Sequence, residues 1–98
     1  MSIAGLFDLH GRVALVTGSS RGIGRALAEV LADAGADVII HASGPSAAAE
    51  AVAAGIRAKG RRAAVITCDL ADDVAARTLV RDAAAAFGSL DILVLNAS

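Results

Sequence analysis

Arg12-Val13-Ala14-Leu15-Val16-Thr17-Gly18-Ser19-Ser20-Arg21-Gly22-Ile23-Gly24 carries an apolar run straight into a glycine-rich turn. Residues 13–16 are apolar without alternation, which suits a strand covered on both faces, as in a parallel sheet. Gly18 permits a sharp turn off that strand, while Gly22 and Gly24 let a helix begin close to a ligand and pack tightly on the strand. The amide groups and dipole at such a helix start bind the pyrophosphate of a dinucleotide. The spacing T-G-x-x-x-G-x-G differs from G-x-G-x-x-G and from the phosphate loop G-x-x-x-x-G-K-[ST]. Arg25 stands where the latter requires lysine, so ATPase chemistry is not expected.

Outward from this stretch, Ile23, Ala26, Leu27, Val30, Leu31 and Ala34 recur at helical spacing, which predicts one apolar helix face closed by Gly35. Val38-Ile39-Ile40 reads as a second buried strand. Ala42 to Ser46 is a loop, with Ser46 as N-cap of a helix over Ala47 to Lys59 whose inner face holds Val52 and Ile56. Gly60 closes it, and Ala63 to Thr67 forms a third strand. Asp72 caps a third helix with Ala76, Leu79, Val80, Ala83 and Phe87 on one face, Gly88 stops it, and Leu90 to Leu95 forms a fourth strand.

The alternation β-α-β-α-β-α-β predicts an α/β, Rossmann-like, doubly wound parallel sheet of strand order 3-2-1-4, left incomplete by these residues. Right-handed crossovers place the first two helices on one face and the third on the other. Ligands bind where the strand order reverses, beyond the carboxyl ends of strands one and four, where Gly18 and Asn96 fall.

A chain of 98 residues buries only roughly two-thirds of its unfolded surface. Its hydrophobic content of 56% and mean hydropathy of +0.66 therefore imply surface meant to be covered by something else. Charged residues interrupt every run long enough to span a membrane. Met1 to Leu9 has no secretory pattern, so a cytoplasmic location is expected, with Leu6, Phe7 and Leu9 packing under the first strand. Net charge of −1 argues against nucleic acid. Cys68 has no disulfide partner and reads as a strand thiol, and His10 has no second metal ligand at a workable spacing, so no metal site is expected.

Over its whole length the chain resembles the N-terminal portion of the short-chain dehydrogenases/reductases. Four matches carry this: Phe7-Asp8-Leu9-His10-Gly11-Arg12, the loop Thr17 to Gly24, Asp69-Leu70 after the third strand, and Asn96-Ala97-Ser98 after the fourth. The family carries N-N-A-G at the last place, so Leu95 replaces an asparagine and Ser98 a glycine. The resemblance implies that Gly18, Ser19, Ser20, Arg21, Gly22, Ile23 and Gly24 hold the cofactor phosphates, with Thr17 structural. It also implies that Asp69 accepts from the adenine amino group beside the Leu70 amide, and that Asn96, with Ala97 and Ser98, braces the crevice near the nicotinamide-side ribose. Read without the family, Asp69 is a capping carboxylate and Asn96 a turn former.

The family's catalytic Asn, Ser and Tyr-x-x-x-Lys follow the fourth strand. This sequence has no tyrosine, and Lys59 belongs to the second helix, so no catalytic residue is assigned within it. The expected role of residues 1–98 is the cofactor-binding portion of an NADP-dependent oxidoreductase acting on an alcohol/carbonyl pair. It is similar to 3-oxoacyl carrier-protein reductases and to gluconate or other sugar-alcohol dehydrogenases. Relatives imply a homo-oligomer, dimer or tetramer. The alternative is a non-catalytic nucleotide-binding or structural module that pairs with another chain. NADP is favoured over NAD because the second strand ends His41-Ala42-Ser43, without the carboxylate that accepts a ribose 2′-hydroxyl. Arg21 stands where a guanidinium reaches a 2′-phosphate, and Ser43 adds a hydroxyl donor.

Overall fold

In the computed structural model the described residues are 8–96. They run as β1 (Val13–Val16), α1 (Gly22–Asp33), β2 (Asp37–Ala42), α2 (Ala47–Ala58), β3 (Ala63–Thr67), α3 (Asp73–Phe87) and β4 (Ile92–Val94). The four strands form one parallel sheet in the order β3-β2-β1-β4, as the alternation predicts. Leu15 lies opposite Ile39 on one side and Leu93 on the other. The expected Leu6 and Phe7 packing falls outside the described residues, whereas Leu9 packs on the core and donates its N–H to the Ala34 carbonyl at 2.8 Å.

Alternating side chains of the central strands feed two cores. Val16, Val38 and Ile40 meet Ala28 and Ala32 of α1 and Ala49, Val52, Ala53 and Ile56 of α2. Val13, Leu15 and Ile39 meet Leu79 and Ala83 of α3, with Ile66, Phe87 and Leu90 packed around them. Each fully buried Val, Leu or Ile contributes roughly 1.5–3 kcal/mol, so these central strands, all nearly solvent-free, anchor the fold.

Two expectations about helix faces are corrected. On α1 the sheet-facing residues are Gly24, Ala28 and Ala32, while Ile23 is 74% exposed and Leu27 and Val30 are also exposed. Small residues let the helix axis come close to the sheet, and that proximity outweighs the hydropathy of the larger stripe. On α3, Val80 points outward while Leu79 and Ala83 are buried. β4 is also shorter than the apolar run 90–95, because only residues 92–94 have a partner across β1. β2, by contrast, continues through His41 and Ala42, paired with Ile66 and Thr67.

Local chemistry sets the remaining ends. Ser46 Oγ accepts the Ala49 N–H at 3.0 Å, and Asp72 Oδ1 accepts those of Val74 and Ala75 at 2.9 and 3.3 Å. Gly35, at φ +110°, leaves room for His10, whose Nδ1 lies 2.7 Å from where a Cβ would stand. His10 thus has a packing role and a hydrogen bond between Nδ1 and Asp8 Oδ1, and among the described residues no cluster suited to a metal occurs. No helix of the described residues is long and apolar enough to cross a membrane.

Candidate functional site

The carboxyl ends of β1, β2 and β3 open into one crevice of about 810 Å³, within the ~300–1,000 Å³ of small-molecule sites. Gly18, Ser20 and Arg21 line it from the loop before α1, Ala42 from the end of β2 and Ser43 to Ser46 from the loop after it, Asp69 and Leu70 from the loop after β3, and Asn96 from just beyond β4. A smaller groove of about 190 Å³ between α1 and α2, by Arg25, Glu29 and Lys59, is bordered by the ion pairs Arg25–Glu29 and Lys59–Asp33, both 2.7 Å.

The glycine turn is built by backbone and buried polar groups. Gly18 adopts φ +60° and Gly22 φ +62°, angles that a side chain disfavours. Arg21 is extended at φ −162° and gives α1 no side-chain cap, and the first turn of α1 holds no acidic residue. In α2 and α3 the equivalent amides are taken by Ser46 and Asp72. The first amides of α1 therefore face an uncapped, positive helix end.

Thr17 is buried and ties β4 to this turn: Asn96 N–H donates to Thr17 Oγ1 at 2.9 Å, and the Thr17 hydroxyl lies 3.4 and 3.3 Å from the carbonyls of Val94 and Asn96. The Asn96 side chain donates through Nδ2 to the Gly18 carbonyl at 3.2 Å. Ser19 is fully buried: its hydroxyl donates to Val16 O at 2.7 Å and accepts His41 N–H at 3.0 Å, and its own N–H donates to His41 O at 3.0 Å. Its polar groups are thus spent on the shape of the turn. Gly22, Ile23 and Gly24 do not line the crevice: Gly22 and Ile23 are exposed at the start of α1, and Gly24 is buried against Gly18.

Arg21 is exposed on the crevice and forms no ion pair among the described residues. Across from it the strand end carries Ala42 and Ser43 and no carboxylate. Asp69 takes the Ala71 N–H on Oδ1 at 2.9 Å, so the capping reading describes one of its oxygens. Lys59 pairs with Asp33 far along α2. The half-buried Cys68 sits beside this loop, and desolvation, then the charges of Asp69 and Asp72, push its thiol pKa up. Ala97 and Ser98 lie outside the described residues.

Sequence reading missed His41, Gly44 and Pro45, which also line the crevice. His41 is 3% exposed, with Nδ1 accepting Gly18 N–H at 3.0 Å and Nε2 3.0 Å from the Cys68 carbonyl. A histidine at the end of a buried strand, facing a glycine turn, was the available signal.

The short chain dehydrogenase family matches residues 12–98. An uncharacterized oxidoreductase of Mycobacterium tuberculosis is 48% identical over 94 residues, covering 96% of this chain and 35% of that protein. A crystal structure of a short chain dehydrogenase from Burkholderia cenocepacia in complex with NADP superposes with a TM-score of 0.88 at 57% identity, covering 92% of this chain and 37% of the other. A 3-oxoacyl (acyl-carrier-protein) reductase from Agrobacterium tumefaciens with NADP bound gives a TM-score of 0.85 at 48% identity, covering 100% of this chain and 37% of the other. The chain thus spans about a third of the length of the proteins it matches.

Proposed function

Because the chain belongs to the short-chain dehydrogenase family, we propose that it forms the NADP-binding portion of an oxidoreductase that moves hydride between the nicotinamide and an alcohol or carbonyl substrate. The observation that carries this reading is the uncapped start of α1, closed over by Gly18 and flanked by an exposed Arg21 with no ion pair among the described residues, at the sheet end where the carboxyl termini of β1, β2 and β3 share a crevice. The residues fit the cofactor: free helix amides for the pyrophosphate, and a guanidinium with no acid opposite it for the 2′-phosphate.

In this reading the amides from Ser20 to Gly24 receive the pyrophosphate, and Ser19 acts through the shape of the turn. Arg21 and Ser43 hold the 2′-phosphate, with Ala42 beside the adenine-side ribose. Asp69 Oδ2 accepts the adenine amino group next to Leu70. Asn96, with Ala97 and Ser98, borders the nicotinamide-side ribose. When bound, NADP supplies the hydride-carrying ring, while proton transfer to the substrate oxygen belongs to residues outside this stretch. Two relatives with bound NADP support the choice of cofactor. We further propose a homo-oligomer in which α3, with Val74 and Val80 turned outward, supplies contact surface.

Titration of the full-length protein that carries this chain with NADPH and NADH tests the reading. The expected result is saturable binding of both with at least a tenfold preference for NADPH, the surplus of two charge-assisted bonds at roughly 1.5–3 kcal/mol each over desolvation. Equal or tighter NADH binding overturns the choice of cofactor, and no binding of either overturns the reading itself.

A further inference from the structure

His41 is the one ionisable side chain buried in the floor of the crevice among the described residues. Both ring nitrogens are engaged, Nδ1 by the Gly18 N–H and Nε2 by the Cys68 carbonyl, each at 3.0 Å. An amide N–H only donates and a carbonyl only accepts, so one tautomer satisfies both contacts: proton on Nε2, lone pair on Nδ1. The backbone of the same residue grips the next loop position, accepting Ser19 N–H and donating to Ser19 Oγ. Gly18 and Ser19 are thus fastened to the end of β2, and only the Gly18 contact depends on the charge of the ring.

We propose that neutral His41 is the positioning residue of the phosphate loop: its Nδ1 lone pair fixes the Gly18 amide, and protonation there sets N–H against N–H, unseats the turn and weakens dinucleotide binding. The inference rests on the cofactor reading above and adds to it a pH-sensitive latch. Gly18 holds a left-handed angle, and its carbonyl receives Asn96 Nδ2, so a shift of this residue moves both the loop and the β4 side of the crevice. The other ionisable groups on the surrounding elements are Arg21 from the loop before α1, and Cys68, Asp69 and Asp72 from the end of β3 and the turn after it. The loop after β2 contributes only Ser43 and Ser46. None of these side chains hydrogen-bonds the ring, whose two nitrogens are taken by the Gly18 amide and the Cys68 carbonyl.

The test uses the full-length protein and NADPH, titrated from about pH 8 to about pH 5, for wild type, His41→Asn and His41→Leu. Asparagine offers Oδ1 at the reach of Nδ1 and does not titrate. Leucine offers no acceptor. At the alkaline end His41→Leu is expected to bind about tenfold more weakly than wild type, and His41→Asn to recover most of that loss. Towards the acid end the wild type is expected to lose about tenfold more affinity than His41→Asn, which shares any titration of the 2′-phosphate itself. Parallel pH profiles for wild type and His41→Asn overturn the proposal, as does wild-type affinity in a folded His41→Leu. The second readout is nitrogen NMR of the unliganded protein: the Nε2–H tautomer, with the Gly18 amide shift following ring protonation, is expected. A Gly18 amide that stays still while His41 protonates overturns the latch. If the wild type binds neither cofactor, the cofactor reading fails, and the Gly18 amide still decides the latch by itself.

Discussion

The carbonyl oxygen of Gly18 occupies space that a Cβ on Gly24 would need, and Asn96 Nδ2 stands 2.7 Å from the same point. Turn, first helical turn and β4 end therefore converge on one hydrogen atom. Alanine normally gains up to ~1 kcal/mol over glycine inside a helix, but here the clashing atom is backbone and cannot swing away. Gly24→Ala is expected to destabilise the fold by about 1–3 kcal/mol and to weaken NADP binding at least tenfold. Gly55, exposed in α2 with nothing within 4 Å of a built Cβ, is the opposite case. Gly55→Ala is expected to raise stability by ~0.5–1 kcal/mol. Chemical denaturation of both variants checks the two signs.

Arg21 has no ion-pair partner among the described residues to lose. Arg21→Ala is therefore expected to leave the melting temperature unchanged while NADP affinity falls about tenfold or more and NAD affinity stays within about threefold. Calorimetric titration with both cofactors measures the difference, and an equal loss for the two would detach Arg21 from the 2′-phosphate.

Asp91 joins the starts of β4 and β1: its Oδ2 accepts Val13 N–H at 2.9 Å and its Oδ1 lies 3.7 Å from Arg12. The ion pair is largely exposed and contributes little. The hydrogen bond satisfies the first amide of a buried strand, so Asp91→Ala is expected to cost about 1–2 kcal/mol, and Arg12→Ala under ~0.5 kcal/mol. Urea unfolding midpoints discriminate the two contributions.

Desolvation first, then Asp69 and Asp72, raise the Cys68 pKa. The thiolate is thus scarcer at neutral pH than for a free cysteine, and alkylation by iodoacetamide is expected to be slow there and to accelerate only at higher pH than for a small thiol. The sign for stability is the same: the folded state favours the protonated thiol, an advantage present at neutral pH and lost as pH rises through the raised pKa. A rate profile matching that of a free thiol would contradict this.

The strand and helix order was legible because its signals are local. Val13 to Val16 is apolar without alternation, Ser46 and Asp72 cap helices within three residues of themselves, and Gly35, Gly60 and Gly88 end them with positive φ. The glycine turn was legible for the same reason, since its glycines stand a fixed few residues from a strand end and a helix start. Periodicity succeeded only in part on α1. Of the stripe it selects, Leu31 and Ala34 reach the core while Ile23, Leu27 and Val30 are exposed, and the sheet accepts Gly24, Ala28 and Ala32, because small side chains let the helix come close to the strands.

The sequence by itself thus determined which segments are strands, how they alternate with helices, that glycines stand in the turn after β1, and that no acid ends β2. Only the tertiary structure decided how the distant parts of the crevice hold one another. His41 meets Gly18 across 23 positions, Asn96 meets Gly18 across 78, and Thr17 meets Asn96 across 79. Such contacts leave no periodic trace in the chain: each depends on parallel strands bringing their carboxyl ends side by side, so that partly buried polar groups remote in sequence become each other's partners.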